Sequence, residues 1–306
     1  RLKVLEYNRL IKDLKSHTKE TFLSALKNIG TITPLNEIRK PIKEHQFTVC
    51  FDRDYFSFEL FPPKTAESEA MLWQTVDELM GFEPTLITCT YGAGGSTQTK
   101  TLEVLNGVHV RHPSVAIASH LTCVGSTTDQ LREYLRKAEK TGVTAIVALR
   151  GDPPGGPRDT WVRTSEGFDH ADQLVSKART MGFDVGVAVF PDGHPASKDR
   201  AEDLATLKRK VDAGATFAIS QFFFDVNSWQ RLMNDVASAG LNLTLIPGIM
   251  PVTNVKQIIR FAELSGTEIP AHIRSRFEAV ADDPISVQRL GVDVATALCR
   301  ELLEIG

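Results

Sequence analysis

The sequence predicts an α/β fold, a (β/α)8 barrel of the TIM type preceded by an N-terminal helical arm. Three observations carry this. Seven short runs rich in β-branched and aromatic residues alternate with longer segments of helical periodicity, the pattern of parallel crossover units. The runs are almost continuously apolar, as strands buried on both faces are. Polar residues stand at the C-terminal end of nearly every run, as around a barrel mouth. No G-x-G-x-x-G opens the first unit, which argues against a doubly wound sheet with its single switch point.

Taken in order, residues 1–54 form the arm. Leu2, Leu5, Leu10, Ile11 and Leu14, then Phe22, Leu23 and Leu26, carry the spacing of two amphipathic helices, and Thr31 to Pro41 reads as a linker. Packing against the body or a second subunit is the expected use of this arm. Residues 55–306 form the barrel. Its candidate strands are YFSFELF (55–61), TLITCTY (85–91), VAIASHLTCV (115–124), AIVALRG (145–151), DVGVAVF (184–190), FAISQFFF (217–224) and LTLIPGIM (243–250). In the helix that follows the third run, Thr127 or Thr128 is a suitable N-cap and Gly142 a suitable C-terminal stop. An eighth strand is not evident. Either a C-terminal strand is missing from this sequence, which is the preferred reading, or FTVCF (47–51) takes its place.

The chain has 306 residues, 42% of them hydrophobic and 24% charged, the composition of a globular enzyme with a full core. A net charge of −3 argues against nucleic-acid binding, which needs a basic face. No apolar run is long enough to span a bilayer. The opening RLKVLEYNRLIKDLKSHTKE is amphipathic and charged, unlike a secretory signal. Because it begins with Arg, the native start is expected upstream. Cys50, Cys89, Cys123 and Cys299 are widely spaced, so free buried thiols in a reducing cytoplasm are expected and no metal is.

The strand ends carry the chemistry. Glu59 sits among phenylalanines and leucines, where a buried carboxyl gains the raised pKa that a general acid needs. The alternative is a glutamate facing solvent on an edge strand. Thr90 to Thr97, T-Y-G-A-G-G-S-T, suits a backbone that approaches an anion, and lacks the ending of a nucleotide P-loop. Arg150, Gly151 and Asp152 end a strand, where Arg150 suits a phosphate or carbonyl and Asp152 a polar heterocycle. His120 and His194 also stand at strand ends, with no acidic partners at metal-ligand spacing. Gln221 can read a donor–acceptor edge, while Phe222, Phe223 and Phe224 after it suit barrel core. Asp203, Thr206 and Lys210 share one helix face.

Together these stretches resemble the methylenetetrahydrofolate reductase family. The matching segments are FSFELFPPKT, LITCTYGAGGSTQTKT, ASHLTC, ALRGDPPGG, the HP after VAVFPDG, DLATLKRKVDAGATFAISQFFFDV and LIPGIMPVTNVKQ. They run in the family's order from Phe56 to about Phe261. The resemblance implies an FAD enzyme that reduces 5,10-methylenetetrahydrofolate to 5-methyltetrahydrofolate with NADH or NADPH. The hydride passes through the flavin N5, and the two substrates use one pocket in turn, by ping-pong kinetics. It implies Glu59 as general acid and Asp152 as the aspartate beside flavin and pterin. It places Thr90, Tyr91, Ala93, His120, Arg150, Gly151, Asp152, Ala171, Phe190, His194, Asp203, Thr206 and Lys210 at flavin-binding positions, and Gln221, Gln257 and Phe261 at substrate-binding positions.

The sequence departs from the family at three places. Phe190 stands where a tyrosine is often found, and Thr206 where an asparagine can occur. A C-terminal strand with an Asn-Arg pair is absent. No regulatory domain follows the barrel, so inhibition by adenosylmethionine is not expected, while a homo-oligomer is. Two other readings stay open: another FAD barrel oxidoreductase or folate-dependent methyl-transfer enzyme, and a non-catalytic relative that binds flavin or folate.

Overall fold

A computed structural model describes residues 48–52, 55–91, 98–153 and 155–305. The two helices expected in the arm and Ala93 lie outside the described residues. Seven strands run parallel, each hydrogen-bonded to the next: β2 (Tyr55–Leu60), β3 (Leu86–Cys89), β4 (Ala116–Thr122), β5 (Ala145–Leu149), β6 (Asp184–Val189), β7 (Phe217–Ser220) and β8 (Thr244–Ile246). Helices connect them: α1 (Ala66–Met80), α2 (Gln98–Arg111), α3 (Thr128–Lys140), α4 (Ala171–Thr180), α5 (Arg200–Asp212) and α6 (Val226–Ser238). After β9 (Gly248–Ile249) come α7 (Val255–Ser265), α8 (Ala271–Glu278) and α9 (Pro284–Ile305).

The eighth position corrects the preferred expectation. β1 (Thr48–Asp52), from the FTVCF segment assigned to the arm, runs antiparallel to β2, with Val49 opposite Phe58. Val49 also stands opposite Ile249 of β9. β9 continues β8 across Pro247, which has no N–H for the ladder. The sheet order therefore runs from β8 through β2 to β1 and back to β9, and the ring closes through an antiparallel strand. Closure removes the edges that β2 and β8 would otherwise expose.

Alternation sorts each strand into two faces. Ile87 and Cys89, Leu121 and Cys123, Ile146 and Ala148, and Val185 and Val187 pack outward against the helices in the main core. The opposite face points into the lumen, where Ala118, Ala145, Val147 and Ile219 form an apolar floor with Leu86, Leu149, Phe217 and Ile246 around it. Burying each large aliphatic side chain contributes about 1.5–3 kcal/mol. Thr127 caps α3 through a reciprocal box with Gln130, and Gly142 after that helix has φ +86°, as the sequence anticipates. Cys89, Cys123 and Cys299 are free and buried.

The observed strands stop short of the predicted ones, above all at FAISQFFF, where β7 ends at Ser220. Phe223 joins the main core, stacked on Trp229 of α6 at 5.6 Å. Phe222 and Phe224 instead anchor a second cluster with Val252, Ile258 of α7, Phe277 of α8 and Val287 of α9. The apolar run was long enough for a strand, but its last residues serve the packing of the C-terminal helices.

Candidate active site

A cleft of about 470 Å3 opens at the C-terminal ends of the strands. The structure brings together in it Glu59, His120, Arg150, Gly151, Asp152, Ala171, Phe190, His194, Asp203, Thr206, Lys210 and Gln221. These residues come from the ends of five different strands and from two helices, the distribution a barrel mouth provides.

The deep wall is made by Glu59 of β2 and His120 of β4, the lumen-facing residues that line the cleft there. Glu59, the penultimate residue of β2, faces the lumen because Phe58 and Leu60 beside it point into the outer core. Its side chain is 16% exposed, and its Oε2 lies 3.4 Å from Nε2 of His120 on β4. This excludes the solvent-facing alternative. Burial pushes the Glu59 carboxyl up from 4.5 to about 7, and pushes the His120 imidazole down from 6.5 to about 4. Below about pH 7 the carboxyl therefore keeps its proton beside a neutral ring. His120 Nε2, Thr122 Oγ1 and Thr88 Oγ1 are buried without a hydrogen-bond partner.

The end of β5 forms the next wall. Backbone N–H groups of Cys123 and Val124 donate to the Arg150 carbonyl at 3.1 and 3.0 Å, extending the β4–β5 pairing past the strand ends. The Arg150 guanidinium lies over the Trp161 ring, 5.0 Å from its centroid. Gly151 turns the chain with φ +83°, and a Cβ there would come within 2.5 Å of Val124. Asp152 follows, exposed on the cleft wall.

The outer rim comes from the loop after β6 and from α5. Asp203 accepts from the His194 backbone N–H at 2.9 Å and from the Ser197 hydroxyl, tying the 194–197 turn to the helix. His194 Nδ1 accepts from the Ala196 N–H at 3.1 Å, and its ring meets Phe190 edge-on at 4.6 Å. Burial first, then Arg150, hold the His194 ring below its ordinary pKa. Lys210 donates to the Ala188 carbonyl at 3.1 Å, and burial lowers its ammonium to about 8 against the pull of Asp203 and Asp172. Thr206 accepts from Arg209 at 3.1 Å.

Other predicted residues lie apart from this cleft. Tyr91 is buried against Tyr134, edge-on at 5.3 Å, and burial pushes its phenol up. Thr90 is fixed by its backbone, donating to Leu60 and accepting from Thr101. Gln257 sits in the first turn of α7 behind its cap Asn254, and Phe261 borders the second cluster. The sequence reading missed Thr88 and Thr122 in the lumen, and His170, Asp172 and Arg200 on the rim. A count of strand alternation from Glu59 and His120 finds the two threonines. No local pattern marks the other three. Among the described residues, no group of three or more His, Cys, Asp or Glu could hold a metal ion, and no helix is long and apolar enough to cross a membrane.

Comparison with known proteins matches this arrangement to one family. The family described as methylenetetrahydrofolate reductase matches residues 47–306, and a protein of unknown function (DUF1015) matches residues 1–79. The chain is 39% identical over 252 residues to the 5,10-methylenetetrahydrofolate reductase of Escherichia coli (strain K12), covering 82% of each. It is 35% identical over 263 residues to methylenetetrahydrofolate reductase (NADH) 1 of Arabidopsis thaliana, covering 82% of this chain and 44% of that one. Among solved structures, a Clostridium thermocellum protein, titled as binding two copies of 5-methyl-5,6,7,8-tetrahydrofolic acid, shares the fold. Its TM-score is 0.52 at 12% identity, over 82% of this chain and 95% of that one. With a match running from β1 to the last helix and a cleft at its strand ends, the chain belongs to the methylenetetrahydrofolate reductase family.

Proposed function

We propose that this protein reduces 5,10-methylenetetrahydrofolate to 5-methyltetrahydrofolate with electrons from NADH or NADPH, using FAD, with Glu59 as general acid. The observation that carries the reading is the carboxyl of Glu59: buried at the cleft's deep wall, 3.4 Å from a neutral imidazole, and protonated up to about pH 7. A folate methylene bridge opens only when its nitrogen leaving group takes a proton, and a carboxyl that keeps its proton near neutrality supplies it.

The residues present fit a flavin dinucleotide. Unpaired polar atoms on His120 and Thr122 suit the edge of a heterocycle, and Arg150 and Lys210 suit a diphosphate. The volume lies within the range of cofactor sites. The chemistry FAD supplies when bound is two-electron carriage of a hydride between nicotinamide and folate. Around it, Gly151 brings the backbone close, Arg150 and Lys210 neutralise charge, and Asp203 fixes the turn that carries His194. Gln221, whose Oε1 accepts from the Phe222 N–H at 3.0 Å, is left with its amide N–H2 to donate to the pterin. In this reading the two substrates occupy the cleft in turn, and Gln257 and Phe261 on α7, which stand outside its lining, meet the part of them that extends beyond it.

The test is the absorbance spectrum of purified protein under anaerobic conditions. A flavin band that bleaches on adding NADH or NADPH and returns on adding methylenetetrahydrofolate is the expected result. A colourless protein that takes up no FAD, or bleaching with no return, would overturn it.

A further inference from the structure

Thr88 on β3 has no part in the reading above, yet its position is unusual. Its Cα is the register partner of Glu59 across the β2–β3 ladder. Its neighbours Ile87 and Cys89 point outward into the main core, so its side chain shares the lumen face with that of Glu59. Adjacent strands lie about 4.8 Å apart, so the two side chains flank one another. Thr88 is 1% exposed, and its hydroxyl oxygen has no hydrogen-bond partner. A buried hydroxyl without a partner is destabilising. One level below it, Leu86 belongs to the apolar floor, so the lumen changes from apolar to polar at this threonine.

Resting on the function proposed above, we propose that Thr88 is a positioning residue whose hydroxyl donates a hydrogen bond to the Glu59 carboxylate once that group has given up its proton. Loss of the proton leaves a charge buried in a lumen whose other contact, His120, is a neutral ring. Such an anion needs a donor at hand. In this proposal the Thr88 hydroxyl turns toward it about one side-chain torsion, from the register position opposite Glu59. Nothing is consumed: the proton passes from Glu59 to the folate nitrogen, the hydroxyl hydrogen turns to the new carboxylate, and reprotonation of Glu59 restores the starting state.

Of the groups that face Glu59, the neutral His120 ring can offer its single N–H to the carboxylate in only one of its two tautomers, which leaves the Thr88 hydroxyl as the second donor. His120 comes from β4, and Cys89 on β3 points to the opposite face. Arg150, Asp152, His194, Asp203 and Lys210 stand around the same cleft, but burial alone accounts for the raised Glu59 carboxyl.

The test compares wild type with Thr88→Val and Thr88→Ser. Removing a hydrogen bond to the charged form raises a carboxyl pKa. The Glu59 carboxyl is followed by infrared difference titration, with Glu59→Gln identifying its band. In Thr88→Val its midpoint should rise by about 0.5–1 pH unit relative to wild type, and Thr88→Ser should restore it. In rapid mixing, the pH profile of folate reduction should shift by the same amount, while that of flavin reduction by the nicotinamide stays in place. An unshifted Glu59 midpoint in a folded Thr88→Val protein would overturn the proposal, as would a serine variant that behaves like valine. If Thr88→Val fails to fold, the Glu59 band decides: a serine variant whose carboxylate stretch shows no hydrogen-bond shift from deuterium exchange also overturns it. The titration needs no turnover, so it separates failure of this proposal from failure of the functional reading.

Discussion

The two sides of the cleft are built on opposite principles. On the rim, charged groups from the turn after β6 and from α5 are tied: Asp203 to His194 and Ser197, Lys210 to Ala188, Arg200 to Asp235 and to the Pro191 carbonyl. On the deep wall, Glu59 and His120 are held in their uncharged forms by burial, and Thr88, Thr122 and His120 keep polar atoms without partners. Satisfied networks fix geometry, and unsatisfied buried groups are poised to interact with something that arrives. The rim is a preformed network, and the wall holds the groups to which the proposed proton transfer belongs.

The largest break in this contrast comes from Glu59→Gln. It should lower the rate of folate reduction by about 10²–10⁴-fold and leave flavin reduction by the nicotinamide within a few-fold, measured as separate half-reactions. Equal losses in both would strip Glu59 of its acid role. The same variant tests the electrostatics. Folded protein keeps the Glu59 proton between about 4.5 and about 7, where the unfolded chain releases it, so this carboxyl makes stability fall as pH rises through that window. His120 acts in the opposite sense: folded protein sheds its proton, so its contribution rises with pH between about 4 and 6.5. The two oppose one another below 6.5. Above about pH 7 only the cost of the buried carboxylate persists, so Glu59→Gln should be more stable than wild type by up to about 3 kcal/mol in urea unfolding at alkaline pH. A variant no more stable there than wild type would mean that Glu59 ionises freely.

Gly151 joins the two regions, since it lies over Thr122 and Val124 of the deep wall and carries Arg150 and Asp152. Gly151→Ala should cost about 1–3 kcal/mol, because its positive φ disfavours a side chain and the added methyl meets Val124. Thermal unfolding measures this, and an unchanged midpoint would show that the turn relaxes freely. Asp203→Asn sharpens the comparison from the rim. It weakens two hydrogen bonds of one turn while leaving the wall intact, so FAD should bind about tenfold more weakly, with the pH profile of folate reduction unmoved. A shifted profile would show that rim and wall are not independent.

Particular residues show how far the sequence reaches. Glu59 was legible because a single carboxylate interrupts an apolar strand, and period-two alternation then decides which neighbours share its face. Thr127 and Gly142 were legible because caps use local hydrogen bonds and local φ. The end of β7 was not, because Phe222 to Phe224 continue an apolar run, and packing of Phe223 on α6 and of Phe222 and Phe224 against α7, α8 and α9 draws them out of the ladder. Thr90 and Tyr91 stand at the right strand end, yet the fold spends Tyr91 on Tyr134 and ties the Thr90 backbone to Leu60 and Thr101.

By itself the sequence determined the alternation of strand and helix, the barrel class and the polar strand-end residues that meet in the cleft, because each of these follows from side-chain period and from the polarity of strand ends. Tertiary structure alone decided how the ring closes and which titratable groups are buried side by side. Thr48–Asp52 takes the eighth position by pairing with strands on both sides, and His120 reaches Glu59 from two strands away. Both depend on contacts between segments distant along the chain, where hydrogen-bond partners and the loss of solvent are fixed by neighbours that no local pattern names.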